Sequence, residues 1–269
     1  MQDNFSKSKE LEIAIKAALE AGKILEKYFE TEVLKEFKED KSIVTVADKE
    51  SEEVIKKIIL ETFPMHSILG EETGHTNNGH KYTWHIDPLD GTKNLSNGIP
   101  LFAISIALER KNELLVGVVY NPVNKSLFYA EKEKGAYLND KRIYVSKDDV
   151  HHSIISGGKS RKYEDRKICR RLMHDLPEMF TGMTIRDFGS AALDLAYVAR
   201  GGLEATIQIG LHLHDFAAGA LLVQEAGGRI TGLDGEEWKF PQNYFIASNG
   251  VSHDLLVGEI KKQKTKLGV

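Results

Sequence analysis

The sequence predicts a mixed α/β protein whose 269 residues divide into two subdomains, 1–145 and 146–269. Three observations carry that reading. Leu11, Ala14, Ile15, Ala18, Gly22, Leu25 and Phe29 recur at spacings of three and four, which gives a long helix one apolar face. Alternating apolar runs follow at Trp84 to Asp87, Phe102 to Leu108, Leu114 to Tyr120 and Ser126 to Ala130, the pattern of a largely antiparallel meander. Beyond Val145 strand and helix patterns alternate instead, as in α/β units.

The first helix is expected from Ser8 to Phe29. After a charged connector, Thr45-Val46-Ala47-Asp48 leads into a second helix with Val54, Ile55, Ile58 and Ile59 on its inner face, ending before Pro64. Ser67-Ile68-Leu69 reads as a strand that runs into Gly70-Glu71-Glu72-Thr73-Gly74. Gly135 to Asp140 extends the meander with an Asn-Asp turn signal. In the second half a strand at Ser153 to Gly157 precedes a basic helix from Tyr163 to Leu176. A helix from Ser190 to Arg200 is stopped by Gly201-Gly202, and a strand follows at Ala205 to Ile209. The next helix opens near Asp215 and is stopped by Gly227-Gly228, and Tyr244 to Ser248 is a buried strand. No flexible linker marks residue 145, so the halves are expected to share a face.

With 41% hydrophobic residues the chain can bury a substantial core. No segment approaches the roughly 18 apolar residues of a membrane span, and Met1 to Glu10 lacks a signal-peptide core. A single cysteine, Cys169, forms no intrachain disulfide and has no partner for a zinc cluster. A soluble, cytoplasmic protein is expected. The net charge of -4 supplies no general attraction to nucleic acid or to anionic membranes. An anionic substrate therefore needs locally placed cations.

The most informative segment is Trp84-His85-Ile86-Asp87-Pro88-Leu89-Asp90-Gly91-Thr92, where a strand runs into two carboxylates, a glycine and a hydroxyl. Pro88 cannot donate to a ladder, so the chain is expected to turn after Asp87 and aim Asp87, the Leu89 carbonyl and Asp90 into one pocket. Hard divalent cations prefer such oxygens. Gly91 and Thr92 would open a helical turn whose N–H groups suit a phosphate. Each acidic segment also has a plainer reading. Asp90 can cap a helix, Asp215 can be an N-cap, Thr45 and Asp48 match a capping box, and Glu71-Glu72 can be a solvated loop. Four acidic strand or helix termini together are harder to dismiss than one.

The succession of Asp48, Gly70-Glu71-Glu72, Asp87-Pro88-Leu89-Asp90-Gly91-Thr92, Asp215-Phe216-Ala217-Ala218-Gly219 and Glu225-Ala226-Gly227-Gly228 resembles the inositol monophosphatase family of magnesium-dependent, lithium-sensitive phosphatases. The resemblance covers nearly the whole chain. It implies a layered αβαβα fold, a homodimer, and a site between the two halves that hydrolyses a small phosphorylated metabolite. It also implies two or three Mg2+ ions: Glu71, Asp87 and the Leu89 carbonyl on the first, Asp87, Asp90 and Asp215 on the second, Glu71 touching a looser third. Thr92, oriented by Asp48, would position the attacking water, with no phosphoenzyme. The Gly91 and Thr92 N–H groups would grip the phosphate.

Two positions depart from the family pattern. His214 stands where tryptophan is common, and a packed or hydrogen-bonded imidazole is expected there. Gln208 stands where inositol-specific members place a glutamate, and it is expected on the substrate side of the site. Inositol monophosphate is the substrate the second half favours. Histidinol phosphate, fructose 1,6-bisphosphate and 3'(2'),5'-bisphosphate nucleotides remain alternatives; Asp40 to Asp48 and Gly91-Thr92-Lys93-Asn94 also resemble histidinol phosphatases and the bisphosphate nucleotidases. A non-catalytic regulatory or RNA-associated protein on the same fold is the alternative of another class. The basic run Lys159, Arg161, Lys162, Arg166, Lys167, Arg170 and Arg171 reads as a solvated helix face in preference to a second phosphate site.

Overall fold

Ser8 accepts the Leu11 N–H through its hydroxyl at 3.2 Å and so starts α1 (Lys9–Tyr28) where the apolar stripe predicts it. The structure, a computed structural model, describes residues 6–29, 31, 35–37, 43–157 and 163–267. The basic positions Lys159, Arg161 and Lys162, and Asp40 to Ser42 of the connector, lie outside the described residues.

β1 (Lys35–Phe37) and β2 (Ile43–Thr45) form a short antiparallel ribbon that feeds α2 (Val46–Thr62). Phe63, which precedes Pro64, ends α2, as the clash with a proline ring requires. The inner face of α2 differs from the apolar pattern. Ile55 and Ile59 are buried but Val54 and Ile58 only partly, and the buried stripe continues through Ala47, Asp48, Ser51 and Glu52. The physical reason is hydrogen bonding: Glu52 accepts the N–H groups of Glu72 at 2.8 Å and Thr73 at 3.0 Å, so its burial is compensated. That contact fixes the loop carrying Glu71.

The large sheet contains β3 (Ser67–Gly70), β4 (Gly74–Thr76), β5 (Tyr82–Asp90), β6 (Ala103–Arg110), β7 (Glu113–Asn121), β8 (Ser126–Glu131), β9 (Gly135–Leu138) and β10 (Lys141–Ile143). Its spatial order is β10-β9-β8-β7-β6-β5-β3-β4, antiparallel throughout except for the parallel pair β3 and β5. A single helical turn, α3 (Thr92–Leu95), follows β5. The second half supplies β11 (Ile154–Gly157), α4 (Tyr163–Met179), β12 (Thr184–Arg186), α5 (Ala191–Ala199), β13 (Ala205–Ile209) and α6 (Leu213–Glu225). It ends with β14 (Arg229–Thr231), β15 (Tyr244–Ser248) and α7 (His253–Leu267). Its five strands order as β12-β11-β13-β15-β14, with β11 parallel to both neighbours.

Three apolar cores join five layers. α1 and α2 cover one face of the large sheet around Leu25, Ile55, Trp84 and Phe102. α5 and α6 lie between the sheets, where Leu195 and Phe216 join Val119 and Phe128 of one sheet to Phe245 of the other. α4 and α7 close the far side over Ile155, Ile207 and Ile246. The order is αβαβα. The middle helices therefore bury surface from both halves of the chain. Among the described residues no helix is long and apolar enough to cross a membrane.

Close approach of α6 to the large sheet depends on Gly117 in β7. A Cβ there would sit 2.7 Å from the Ala218 carbonyl oxygen and 3.1 Å from its Cα, both backbone atoms that cannot rotate aside. Gly117→Ala is expected to push α6 outward and to lower unfolding free energy by about 1–3 kcal/mol, the usual cost of overpacking. Urea denaturation checks this; an unchanged midpoint would show that the contact has slack.

Candidate active site

Side chains on a strand alternate faces, so residues three apart, such as Asp87 and Asp90, should point to opposite sides. The sequence places a turn after Asp87. The structure instead carries β5 through Pro88 to Asp90, with Asp87 paired to Ser105 and Asp90 to Ala103. Three residues on β5 thus oppose two on β6, which is a β-bulge. The bulge absorbs the proline that cannot donate, and it rephases the strand so that both carboxylates line one cavity of about 340 Å³. The Asp87 carboxylate accepts the Leu89 N–H at 2.9 Å within the bulge.

Neighbouring elements bring the other acids to the same place. β3 lies parallel to β5, and the Glu71 N–H donates to the Ile86 carbonyl at 3.1 Å, which sets Glu71 beside Asp87. The Ser105 hydroxyl, opposite Asp87, donates to the His214 carbonyl at 3.0 Å and pins the start of α6 to the sheet. Asp215 is not the N-cap, as the sequence allows; His212 is, and Asp215 sits three residues later, accepting the His212 N–H at 2.8 Å. Asp90 reaches across to the helix between the sheets and accepts the Ser190 hydroxyl and the Ala192 N–H, each at 2.7 Å. Glu71, Asp87, Asp90 and Asp215 thereby share one wall.

Asp48 forms the back of this wall. Its Oδ2 accepts the Thr45 N–H at 2.8 Å and the Thr45 hydroxyl at 2.6 Å. Thr92 Oγ1 stands 3.2 Å from both Asp48 Oδ1 and the Leu89 carbonyl oxygen, and its one proton serves one acceptor at a time. Gly91 has φ +100°, and a Cβ there would meet the Leu101 carbonyl oxygen at 3.0 Å. Only glycine makes this turn at no steric cost.

The electrostatics follow from burial of like charges. Burial pushes Asp90 up to about 7, helped by the Asp215 charge and opposed by the bonds from Ser190 and Ala192. Burial and then Glu71 and Asp90 hold Asp87 well above the usual carboxylate range, and burial likewise raises Asp215. Asp48 is pushed up to about 6, again chiefly by burial. Each metal-side aspartate spends oxygen on one protein N–H and retains hard donors toward the cavity. That donor set fits a hard divalent cation of the magnesium class. Among the described residues no three such side chains close into a finished ligand set.

Gln208 is not where the sequence places it. It is fully buried, donates through Nε2 to Thr206 Oγ1 at 2.7 Å and Asp194 Oδ2 at 3.2 Å, and forms no part of the cavity wall. Asp194 lines the cavity in front of it. The pattern of β13 put Gln208 on the correct strand, but the layer of α5 stands between that side chain and the cavity. His214 is packed and 9% exposed, with neither ring nitrogen hydrogen-bonded although Nε2 stands 3.4 Å from Asp215 Oδ1; burial lowers its pKa, opposed by the Asp215 charge. The sequence reads Lys93 and Asn94 only as part of a motif and Ser190 and Asp194 only as part of a helix, with no role of their own at the site. Asn94 bonds the carbonyls of Leu101 at 2.5 Å and Phe188 at 2.7 Å, tying α3 to the second half. Ser190 did carry a signal, since a serine after Gly189 and before an apolar helix is a cap.

Similarity to known proteins extends over nearly the whole chain. The family model described as the inositol monophosphatase family matches residues 6–265. A fructose-1,6-bisphosphatase/inositol-1-monophosphatase of Aquifex aeolicus is 39% identical over 94% of this chain and 96% of its own length. A protein named Nus factor SuhB from Salmonella typhimurium is also 39% identical, over 90% of each chain. The solved structure of a Thermotoga maritima IMPase superposes with a TM-score of 0.87 at 32% identity, covering 96% of this chain and 99% of that one. With this fold and these matches along its length, the chain belongs to the inositol monophosphatase family.

Proposed function

We propose that this chain is a magnesium-dependent phosphatase that hydrolyses a small phosphate monoester, inositol monophosphate first among candidates, by direct attack of water. The observation that carries the reading is the convergence of Glu71, Asp87, Asp90 and Asp215 on one cavity with the Asp48–Thr92 pair beside them. The names of the Aquifex aeolicus and Mesorhizobium japonicum relatives support it. Magnesium ions held by Glu71, Asp87, the Leu89 carbonyl, Asp90 and Asp215 would supply Lewis-acid stabilisation of phosphate oxygens and a more acidic water.

The chain's own residues do the rest. Asp48 accepts the Thr92 proton, which leaves a hydroxyl lone pair to orient the attacking water. Glu71, at the mouth of β3, takes a proton from that water. The Gly91 and Thr92 N–H groups hold the phosphate, at a turn that only glycine permits. Asp194 stands on the side of the cavity open to the alcohol portion. The relatives named Nus factor favour a second reading, a Nus factor role on the same fold. Phosphate release from inositol 1-phosphate separates the two: magnesium-dependent turnover that chelation abolishes supports the enzyme, and none at any magnesium concentration overturns it. Lithium is expected to inhibit uncompetitively with substrate in the same assay.

Asp90→Asn should lower kcat by two or more orders of magnitude, since it removes a metal-side charge at the centre of the site. The same change separates charge from packing in the metal-free protein. Because the folded pKa of Asp90 is raised to about 7, the carboxyl adds stability at low pH, and that contribution is lost as pH rises through about 7. The variant should therefore melt higher than wild type at pH 8 in chelator, with the gap closing by pH 5. A pH-independent gap would show that Asp90 does not titrate in this range.

Gln208→Glu should act on stability more than on substrate. It would set a second carboxyl against Asp194, whose own pKa burial already holds well above the usual range. A loss of about 2–4 kcal/mol in urea denaturation is expected, the scale of an uncompensated buried charge. A gain in kcat/KM for inositol 1-phosphate with unchanged stability would instead place Gln208 at the substrate.

A further inference from the structure

Among the described residues two histidines are buried with neither ring nitrogen hydrogen-bonded, His85 on β5 and His214 at the start of α6. A neutral imidazole carries one N–H and one lone pair, and leaving both unmatched in the interior is costly. The two rings differ in what stands nearest them. His85 Nε2 lies 3.6 Å from Glu109 Oε2, and Glu109 forms no part of the catalytic cavity wall. His214 Nε2 lies 3.4 Å from Oδ1 of Asp215, one of the four acids on that wall, while His214 itself is absent from the lining. His214 therefore stands behind Asp215.

Neither partner is free to drift from this position. The His214 carbonyl is held by the Ser105 hydroxyl at 3.0 Å, and the His212 ring stacks on the His214 ring with centroids 5.4 Å apart and planes 15° from parallel. Asp215 is held through its other oxygen: Oδ2 accepts the His212 N–H at 2.8 Å, which leaves Oδ1 as the oxygen beside His214. An ionised carboxylate oxygen has two lone-pair positions, so Oδ1 can accept a hydrogen bond on one and meet a cation with the other. The charge selects the tautomer. A lone pair on Nε2 would repel an ionised Asp215, whereas an N–H there donates to it, with Nδ1 left bare. Closing the 3.4 Å approach to the usual distance of about 2.9 Å completes a charge-assisted hydrogen bond.

Resting on the metal-dependent reading above, we infer that His214 is a positioning residue for Asp215: its Nε2–H bonds Oδ1 and holds that carboxylate in the direction in which it binds a divalent cation at the cavity. Partners of this kind orient a metal-binding group and raise its affinity without touching the metal. The sequence expects only a packed or hydrogen-bonded imidazole at this position, and the structure gives that imidazole a specific oxygen to serve. The arrangement also has a cost. A buried ring with unmatched nitrogens opposes folding of the metal-free protein, and the penalty is offset when a cation holds Asp215 ionised. His214 therefore weakens the empty protein and strengthens the loaded one.

Magnesium titration of the substrate-free protein, followed by calorimetry, tests this. The binding step that disappears in Asp215→Asn identifies the cation at Asp215. For that step His214→Phe is expected to raise Kd about tenfold or more, the usual effect of removing such a partner. His214→Gln, which restores an N–H donor, should recover part of the loss. In chelator His214→Phe should melt at or above the wild-type temperature, because it removes a buried polar group that has no partner there. An unchanged Kd in His214→Phe, or equal losses in the two variants, would overturn the inference. A melting temperature below wild type in chelator would mark a packing role and overturn it as well. If the wild type binds no magnesium, the metal reading fails and the role of His214 falls with it; wild-type binding with unaltered variants defeats the role of His214 alone.

Discussion

Four carboxylates held around one cavity between two sheets repel one another, and the rest of the molecule is arranged to keep them there. A buried charge costs several kcal/mol unless it is paired or hydrogen-bonded. Three of them, and Asp48 behind them, are anchored separately. Asp87 is bound inside its own bulge, Asp90 by the first turn of α5, Asp215 by the first turn of α6, and Asp48 by the residue that starts α2. The anchors come from four different elements, so none of the acids can relax away from the others without moving a helix or a strand. Burial first, and then repulsion among the acids, holds the pKa values of Asp87 and Asp90 above the usual carboxylate range.

This explains why helix starts crowd the site. The first turn of a helix offers N–H groups without intrahelical partners and a partial positive charge, which are what an isolated carboxylate needs. Asp90 satisfies the start of α5 and Asp215 the start of its own helix, and in doing so both are locked in rotamer and direction. The contacts that start the helices are therefore the ones that shape the cavity wall. Asp215 serves as the third helical residue of a capping box whose N-cap is His212, and Asp90 binds the start of α5 from another element, so a helix-start role does not compete with the functional reading.

The opposite wall of the cavity comes from the second half of the chain. The end of β11 contributes Gly157, α5 contributes Asp194, and Asp187 follows β12. Gln208 lies behind Asp194, as a partner of Asp194 and Thr206. Its Nε2 is satisfied by those two side chains, while the buried Oε1 has no hydrogen-bond partner among the described residues.

Much of this was legible in the sequence because it depends on local periodicity and caps. α1, β13 and β15 stand where the spacing of apolar residues puts them, and Glu71, Asp87, Asp90 and Asp215, which the motifs name, line one cavity. What the sequence alone could not determine were features set by register and by layers. The bulge at Pro88 is a property of the pairing between β5 and β6, and it reverses the direction that simple alternation assigns to Asp90. The buried face of α2 rotated toward Glu52 because the loop after β3 supplied donors that lie 20 residues away in the chain. Gln208 faced inward because α5, packed between the sheets, stands in front of it. Periodicity reports which residues share a face of one element; only the packing of elements decides what that face meets.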